Sequence, residues 1–240
     1  MPGHRSDPVD RAGAAPRPAG APAVIPPSPL VSVITPAYNA ARFIEETVRS
    51  VLSQSFPDFE MLVVDDCSPD ETAAIVGRLA AQDHRVTVLR HPRNLGPAAA
   101  RESAIEAARG RYLAFLDSDD LWLPDKLEMQ LRFMEDCGAA ISYTQYRRIT
   151  DDGRVISGPV PLPSLLDYRQ LLRNTAIATS TVIVDRDRTG SFRMTRTYYD
   201  DFALWLDILK RGFVAHGLLR DLARYRVVPG SVSRNKLRSA

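Results

Sequence analysis

Cysteine is scarce in this chain of 240 residues, which has only Cys67 and Cys137. The two stand far apart without metal-ligand spacing, so the sequence predicts reduced, unpaired thiols rather than a disulfide framework or a cysteine-based zinc site. No run of 18 or more apolar residues occurs, so no membrane-spanning helix is expected. The N-terminus lacks the apolar core of a secretory signal, which predicts cytoplasmic residence. Neither the dinucleotide G-x-G-x-x-G nor a P-loop lysine is present. No nucleic-acid motif or aromatic-interleaved basic stretch appears, so nucleic acid is not an expected partner.

What is present is ordinary globular composition, 45% hydrophobic and 25% charged, with a net charge of +2. That suffices for one sizeable α/β domain. Residues 1–29 carry eight prolines among many alanines and glycines, a composition that reads as a disordered leader. Residues 210–240 hold eight Lys or Arg against one acid, Asp221. Three readings stand for that segment: a solvated tail, attraction to a diphosphate, or attraction to anionic lipid head groups with peripheral membrane association.

Between these ends, strand and helix patterns alternate. Apolar runs at 31–35, 59–64, 85–89 and 112–116 read as strands. Helices are expected over 42–54, from Ser68 with a Ser68–Glu71 capping box, from Pro97 to Gly110, and from Pro124 to Gly138. The repeated strand–helix order implies a mainly parallel, doubly wound sheet. Later, 140–146 and 177–184 read as strands and 199–211 as a helix.

In an open α/β sheet, ligands bind beyond the carboxyl ends of the strands. Three polar clusters fall there: Thr35–Asn39, Asp65-Asp66 and Asp117–Asp120. Asp117 and Asp119, two apart at a strand end, supply hard oxygen ligands suited to Mg²⁺ or Mn²⁺. Asp66 reads either as an acceptor for a base or ribose or as a turn cap. Tyr38 reads as a stacking surface for a base or as loop packing. Asn94–Ala98 leads into a helix N-terminus, where backbone amides favour phosphate. Arg101, one turn in, either faces the same crevice as a nucleotide contact or solvates the helix. Asp200-Asp201 opens a helix, either as dipole stabilisation or as the source of a general base.

Taken together, these segments resemble the family 2 glycosyltransferases of the GT-A fold. The resemblance is carried, in family order over about residues 30–236, by Val31–Asn39, Val63–Thr72, Asn94–Arg101, Gly110–Asp120, Asp200–Leu206 and Tyr225–Lys236. It implies a Rossmann-like sheet with a nucleotide-sugar-binding half (30–138) and a smaller, mixed acceptor-binding half (139–236), followed by a short tail (237–240). It also implies an inverting transfer from a nucleotide-diphosphate sugar, UDP-sugar foremost, to a hydroxyl of a carbohydrate or lipid-linked acceptor in cell-surface polysaccharide or glycolipid synthesis. Pro36, Tyr38 and Asp66 would hold the base, Asp117 would lie near the ribose, and Asp119 would bind the Mn²⁺ or Mg²⁺ bridging the diphosphate. Asp201 would be the catalytic base. Asp200, Arg226 and Ser231 are left as contacts to the diphosphate or acceptor. The late motif begins Asp-Asp where the family pattern is Glu-Asp, and Val228 stands where a histidine is often found.

Two other readings share the acidic edge. A nucleotidyltransferase should carry a Gly-rich, basic loop after strand one, and Thr35–Ala41 has no basic residue. A non-catalytic nucleotide-sugar-binding module would be indifferent to the loss of Asp201.

Overall fold

The computed structural model describes residues 28–173, 177–197 and 199–228. Ser231 and the last part of the basic C-terminus therefore lie outside the described residues. So does the Pro-rich leader up to residue 27.

Four parallel strands form the first half of the sheet: β1 (Val31–Ala37), β2 (Phe59–Asp65), β3 (Val86–Arg90) and β4 (Tyr112–Phe115), in spatial order β3-β2-β1-β4. Every residue of β1, β2 and β4 is buried. A strand covered on both faces reads as a continuous apolar run, which is why these segments are conspicuous in the sequence. Pro36 sits in the central strand β1, yet it falls two residues past Ile34, the last residue paired with β4. Its missing N–H therefore removes no ladder bond on that side.

The two faces are separate cores. One takes Val31, Val33, Met61 and Val63 of the strands and packs against α1 (Ile44–Leu52), α2 (Thr72–Gln82) and α4 (Lys126–Cys137). The other takes Ile34, Leu62 and Val64 and packs against α3 (Pro97–Ala107) and α7 (Asp200–Lys210). This period-two division follows from the pleat. The alanines of α3 (Ala98, Ala99, Ala100 and Ala104) are all buried and let that helix lie close on β1 and β2. Phe115 and Trp205 meet edge-on at 5.0 Å and fasten α7 to β4.

The second half is mixed. β8 (Ile183–Asp185) pairs antiparallel with β4 and with β6 (Ile141–Ile149). β9 (Ala215–Arg226) lies parallel to β6, and the short β5 (Leu121–Trp122) and β7 (Leu165–Leu166) add to β9 antiparallel. One nine-stranded sheet thus runs through both halves of the chain. Two four-residue helices, α5 (Tyr168–Leu171) and α6 (Arg186–Thr189), flank it.

Several sequence expectations change here. The run 177–184 is not one strand: a 3-10 turn at Thr179–Thr181 precedes β8. The Ser68 capping box does not form. α2 starts at Thr72, Ser68 Oγ accepts from the Asn39 amide at 3.0 Å, and Asp70 accepts from the Thr72 amide at 3.1 Å. Asp70 also accepts from the Ala41 amide at 2.9 Å, so these side chains tie the loop after β1 to the loop after β2. The basic C-terminal segment is no solvated tail over 215–226. It is β9, where Arg224 pairs with Asp221 at 2.6 Å and Arg226 is buried.

Candidate active site

β1, β2 and β4 are parallel neighbours, so their carboxyl ends open on one edge. Two residues with left-handed backbone mark that edge: Asn39 (φ 52°) and Cys67 (φ 61°), each just past a strand end. Such conformations cost free energy in non-glycine residues and cluster at functional rims.

Asp66 is buried. Its carboxylate accepts from the Gly96 amide at 2.7 Å, the Leu95 amide at 2.9 Å and His91 Nδ1 at 2.7 Å. His91 is held in turn by Ser103 at 2.9 Å. Asp66 therefore fixes the loop that enters α3. Gly96 is the residue before that helix, and its φ of 88° is one that a side chain would strain. Tyr38 stands half-exposed (52%) at the same edge, whereas Pro36 is buried within β1.

Arg101, one turn into α3, is buried and occupied by protein. It donates to Asp117 at 2.6 Å and to Asp200 at 2.6 Å, while its Nε has no partner. Burial works against its charge, but Asp117, Asp200 and Asp201 outweigh that and raise its pKa above the ordinary arginine value. Asp200 is likewise buried, and that burial pushes its carboxyl up despite the pull of Arg101. Asp201, next in sequence, is only part-buried. It accepts from Thr179 Oγ1 at 2.6 Å and from the Phe202 amide at 2.8 Å.

The turn after β4 carries the remaining acids. Asp120 is buried and accepts from Ser180 Oγ at 2.5 Å and from the Arg226 amide at 2.7 Å. Burial, then the neighbouring Asp119 and Asp117, drive its pKa well above the usual carboxylate range. Asp119 is part-buried, and burial followed by the Asp117 charge pushes it up to about 6. Only its own amide and the Arg226 charge act in the other direction. The Arg226 guanidinium makes four further hydrogen bonds: to the carbonyls of Asp119, Thr150 and Asp151, and to Glu46 at 2.7 Å. Its guanidinium also lies 4.7 Å from the Phe43 ring centroid. It staples the end of β9 to α1 and to the acidic turn rather than standing open to a ligand.

Among the described residues, no group of three or more His, Cys, Asp or Glu is placed to hold a metal ion. The donor set fits Mg²⁺ or Mn²⁺ nonetheless. Asp119 is a hard oxygen donor whose ionised form is under-compensated, and these ions take one or two carboxylates and complete their shell from phosphate and water.

The structure thus brings Arg101, Asp117 and Asp200 into direct contact and bonds Arg226, at the end of β9, to the turn that carries Asp119 and Asp120. Asp201 is tied to both groups through the Thr179–Thr181 turn. Asp66 connects through the loop that starts α3. Thr179, Ser180, His91 and Glu46 were not singled out from the sequence. The polar triplet Thr179-Ser180-Thr181 interrupting an apolar run was the one available signal. A separate cleft of about 550 Å³, lined by Glu102, Phe192, Arg193, Asp207 and Arg211 among others, includes none of these rim carboxylates.

Comparison with known proteins places this geometry in a family. The model described as glycosyl transferase family 2 matches residues 32–202. A Bacillus subtilis (strain 168) protein with the provisional name teichuronic acid biosynthesis glycosyltransferase TuaG is 48% identical over 88% of this chain and 84% of its own length. The Escherichia coli UDP-Glc:α-D-GlcNAc-diphosphoundecaprenol β-1,3-glucosyltransferase WfaP is 40% identical over 87% of this chain and 82% of its own. The mannosyltransferase PcManGT from Pyrobaculum calidifontis, solved with GDP-Man and Mn²⁺, superposes with a TM-score of 0.68 at 22% identity. It matches 88% of this chain and 61% of its own. The chain belongs to glycosyl transferase family 2.

Proposed function

We propose that the chain transfers a sugar, with inversion, from a UDP-sugar to a hydroxyl of a lipid-linked saccharide, as a step in cell-surface polysaccharide synthesis. The observation that carries this reading is the division of labour between Asp200 and Asp201. Asp200 is buried and paired with Arg101, while Asp201 is part-buried and its carboxylate is oriented by Thr179. That is the environment a general base needs, and Asp200 does not have it. The UDP donor and the lipid-linked acceptor follow from the activity named for WfaP.

In this reading Tyr38 offers its exposed ring to the base, and Pro36 and Asp66 shape the pocket floor, Asp66 by fixing the 91–96 loop. Asp117, held by Arg101, lies at the ribose. Asp119 would hold Mn²⁺ or Mg²⁺, which supplies charge compensation for the departing diphosphate. Asp201 takes the proton from the acceptor hydroxyl as the new C1–O bond forms. The C1–O bond to the diphosphate breaks, and its electron pair leaves with UDP. Positioning such a base contributes about 10²–10⁴ in rate. Arg226 keeps the acidic turn and β9 in register. Ser231, beyond the described residues, remains a candidate diphosphate or acceptor contact.

The test is UDP release from a panel of UDP-sugars with an N-acetylglucosaminyl diphospholipid as acceptor. Acceptor-dependent release by the wild type supports the reading. Release that is unchanged by Asp201→Asn, or absent with every donor, refutes it.

A further inference from the structure

We propose that Thr179 is a positioning residue for the proton-accepting carboxylate: its hydroxyl orients Asp201 and keeps it ionised. The proposal rests on the reading of Asp201 as the base and adds to it a residue that acts through that carboxylate.

The geometry is specific. Thr179 Oγ1 donates to Asp201 Oδ2 at 2.6 Å, and the Phe202 amide donates to Oδ1 at 2.8 Å. Both oxygens therefore accept a hydrogen bond, and the two contacts fix the plane of the carboxylate. Thr179 is buried (6% exposed) on a turn that is itself secured from below. Trp122 Nε1 donates to the Ser180 carbonyl at 2.7 Å, and Gln130 Nε2 donates to the Thr181 carbonyl at 3.0 Å. The same turn reaches the acidic side of the rim. Ser180 Oγ accepts from the Asp117 amide at 3.1 Å and donates to Asp120 at 2.5 Å. Three consecutive residues thus set the spacing between the base and the turn that carries Asp117 and Asp119.

The electrostatic role follows from the surroundings. Among the described residues, Asp201 has Asp200 beside it on α7, a like charge that disfavours its ionised form. Arg101 of α3 favours that form, but its terminal nitrogens are committed to Asp117 and Asp200. A donor aimed at the ionised carboxylate stabilises it relative to the acid. In the transfer step the acceptor O–H breaks and its proton passes to Asp201. Thr179 keeps its own proton throughout and acts only through the carboxylate.

The experiment follows Asp201 directly, by titrating the ¹³Cγ resonances of aspartate-labelled protein with Asp201→Asn to assign the signal. Thr179→Val is expected to raise the Asp201 pKa by about one unit, Thr179→Ser to restore the wild-type value, and Thr179→Ala to give the same rise should the valine variant not fold. In parallel, the acid limb of kcat for UDP release should move up by the same amount in Thr179→Val, with KM for the UDP-sugar unchanged. An Asp201 titration identical in wild type, Thr179→Val and Thr179→Ala overturns the proposal. A shifted titration in a protein that transfers no sugar overturns the reading of Asp201 as a base and leaves the Thr179 contact standing.

Discussion

Asp200 and Asp201 are adjacent, chemically identical and differently employed. The first spends its charge on Arg101 inside the protein; the second is held at the rim by Thr179. Asp201→Asn keeps the shape and removes the basicity, so kcat for UDP release should fall by about 10²–10⁴ while UDP-sugar binding, read by thermal shift, stays near wild type. Asp200→Asn should instead lower the melting temperature, because it leaves the buried Arg101 charge under-compensated. The sequence marks the pair but not the division. The deciding partners stand 99 and 22 residues away, at distances that no local pattern encodes. For the same reason Arg101 and Arg226 read from sequence as ligand contacts, while the fold commits their guanidiniums to protein acceptors.

At the scale of elements, α4 contains an unusual choice. Lys126 is fully buried, its Nζ has no hydrogen-bond partner among the described residues, and it sits 3.8 Å from the Trp122 ring centroid. The ring favours the ammonium, but burial wins and holds the pKa well below the ordinary lysine value. The unfolded chain thus binds more protons than the native state between that lowered pKa and about 10.4. Stability contributed through this group rises with pH across that window and is lowest beneath it. Lys126→Met should raise stability at neutral pH, with the gain shrinking as the pH approaches 10, in urea melts at a series of pH values. Gly110 poses a different constraint. A Cβ there would lie 2.6 Å from the Ser32 amide nitrogen and 2.6 Å from the Val31 carbonyl carbon, both backbone atoms of β1. Gly110→Ala should destabilise by about 1–3 kcal/mol, seen as a lower urea midpoint. The buried parallel strands and their helices are legible because burial on both faces imposes continuous apolar runs. β9 is not: its twelve residues include Arg220, Asp221, Arg224 and Arg226, whose charges are compensated only in the folded sheet or left at its surface.

At the scale of the whole molecule, the parallel half of the sheet presents acidic strand ends, and the mixed half delivers α7 and the Thr179–Thr181 turn to the same edge. Parallel neighbouring strands imply that the acidic strand ends share one edge; the crossing that adds the mixed half to it, with β8 antiparallel between β4 and β6, is not legible in 177–184, whose pattern reads as one strand. The chain also has, among the described residues, no helix long and apolar enough to cross a membrane. The lipid-linked acceptor proposed above would present its hydroxyl at a bilayer surface, and the expected outcome is binding to anionic vesicles that weakens with salt.

The central claim is that the acidic rim grips a nucleotide-diphosphate sugar together with a divalent cation. Its most direct test is the melting temperature of the wild type and of Asp119→Ala across a panel of nucleotide sugars, with and without Mn²⁺. At a hundredfold excess over Kd, binding adds about 2.7 kcal/mol, roughly 5–10 °C for a chain of this size. A UDP-sugar with Mn²⁺ is expected to produce this shift in the wild type, and Asp119→Ala to lose its Mn²⁺-dependent part. No shift with any nucleotide sugar, or the same Mn²⁺ dependence in Asp119→Ala, would contradict it.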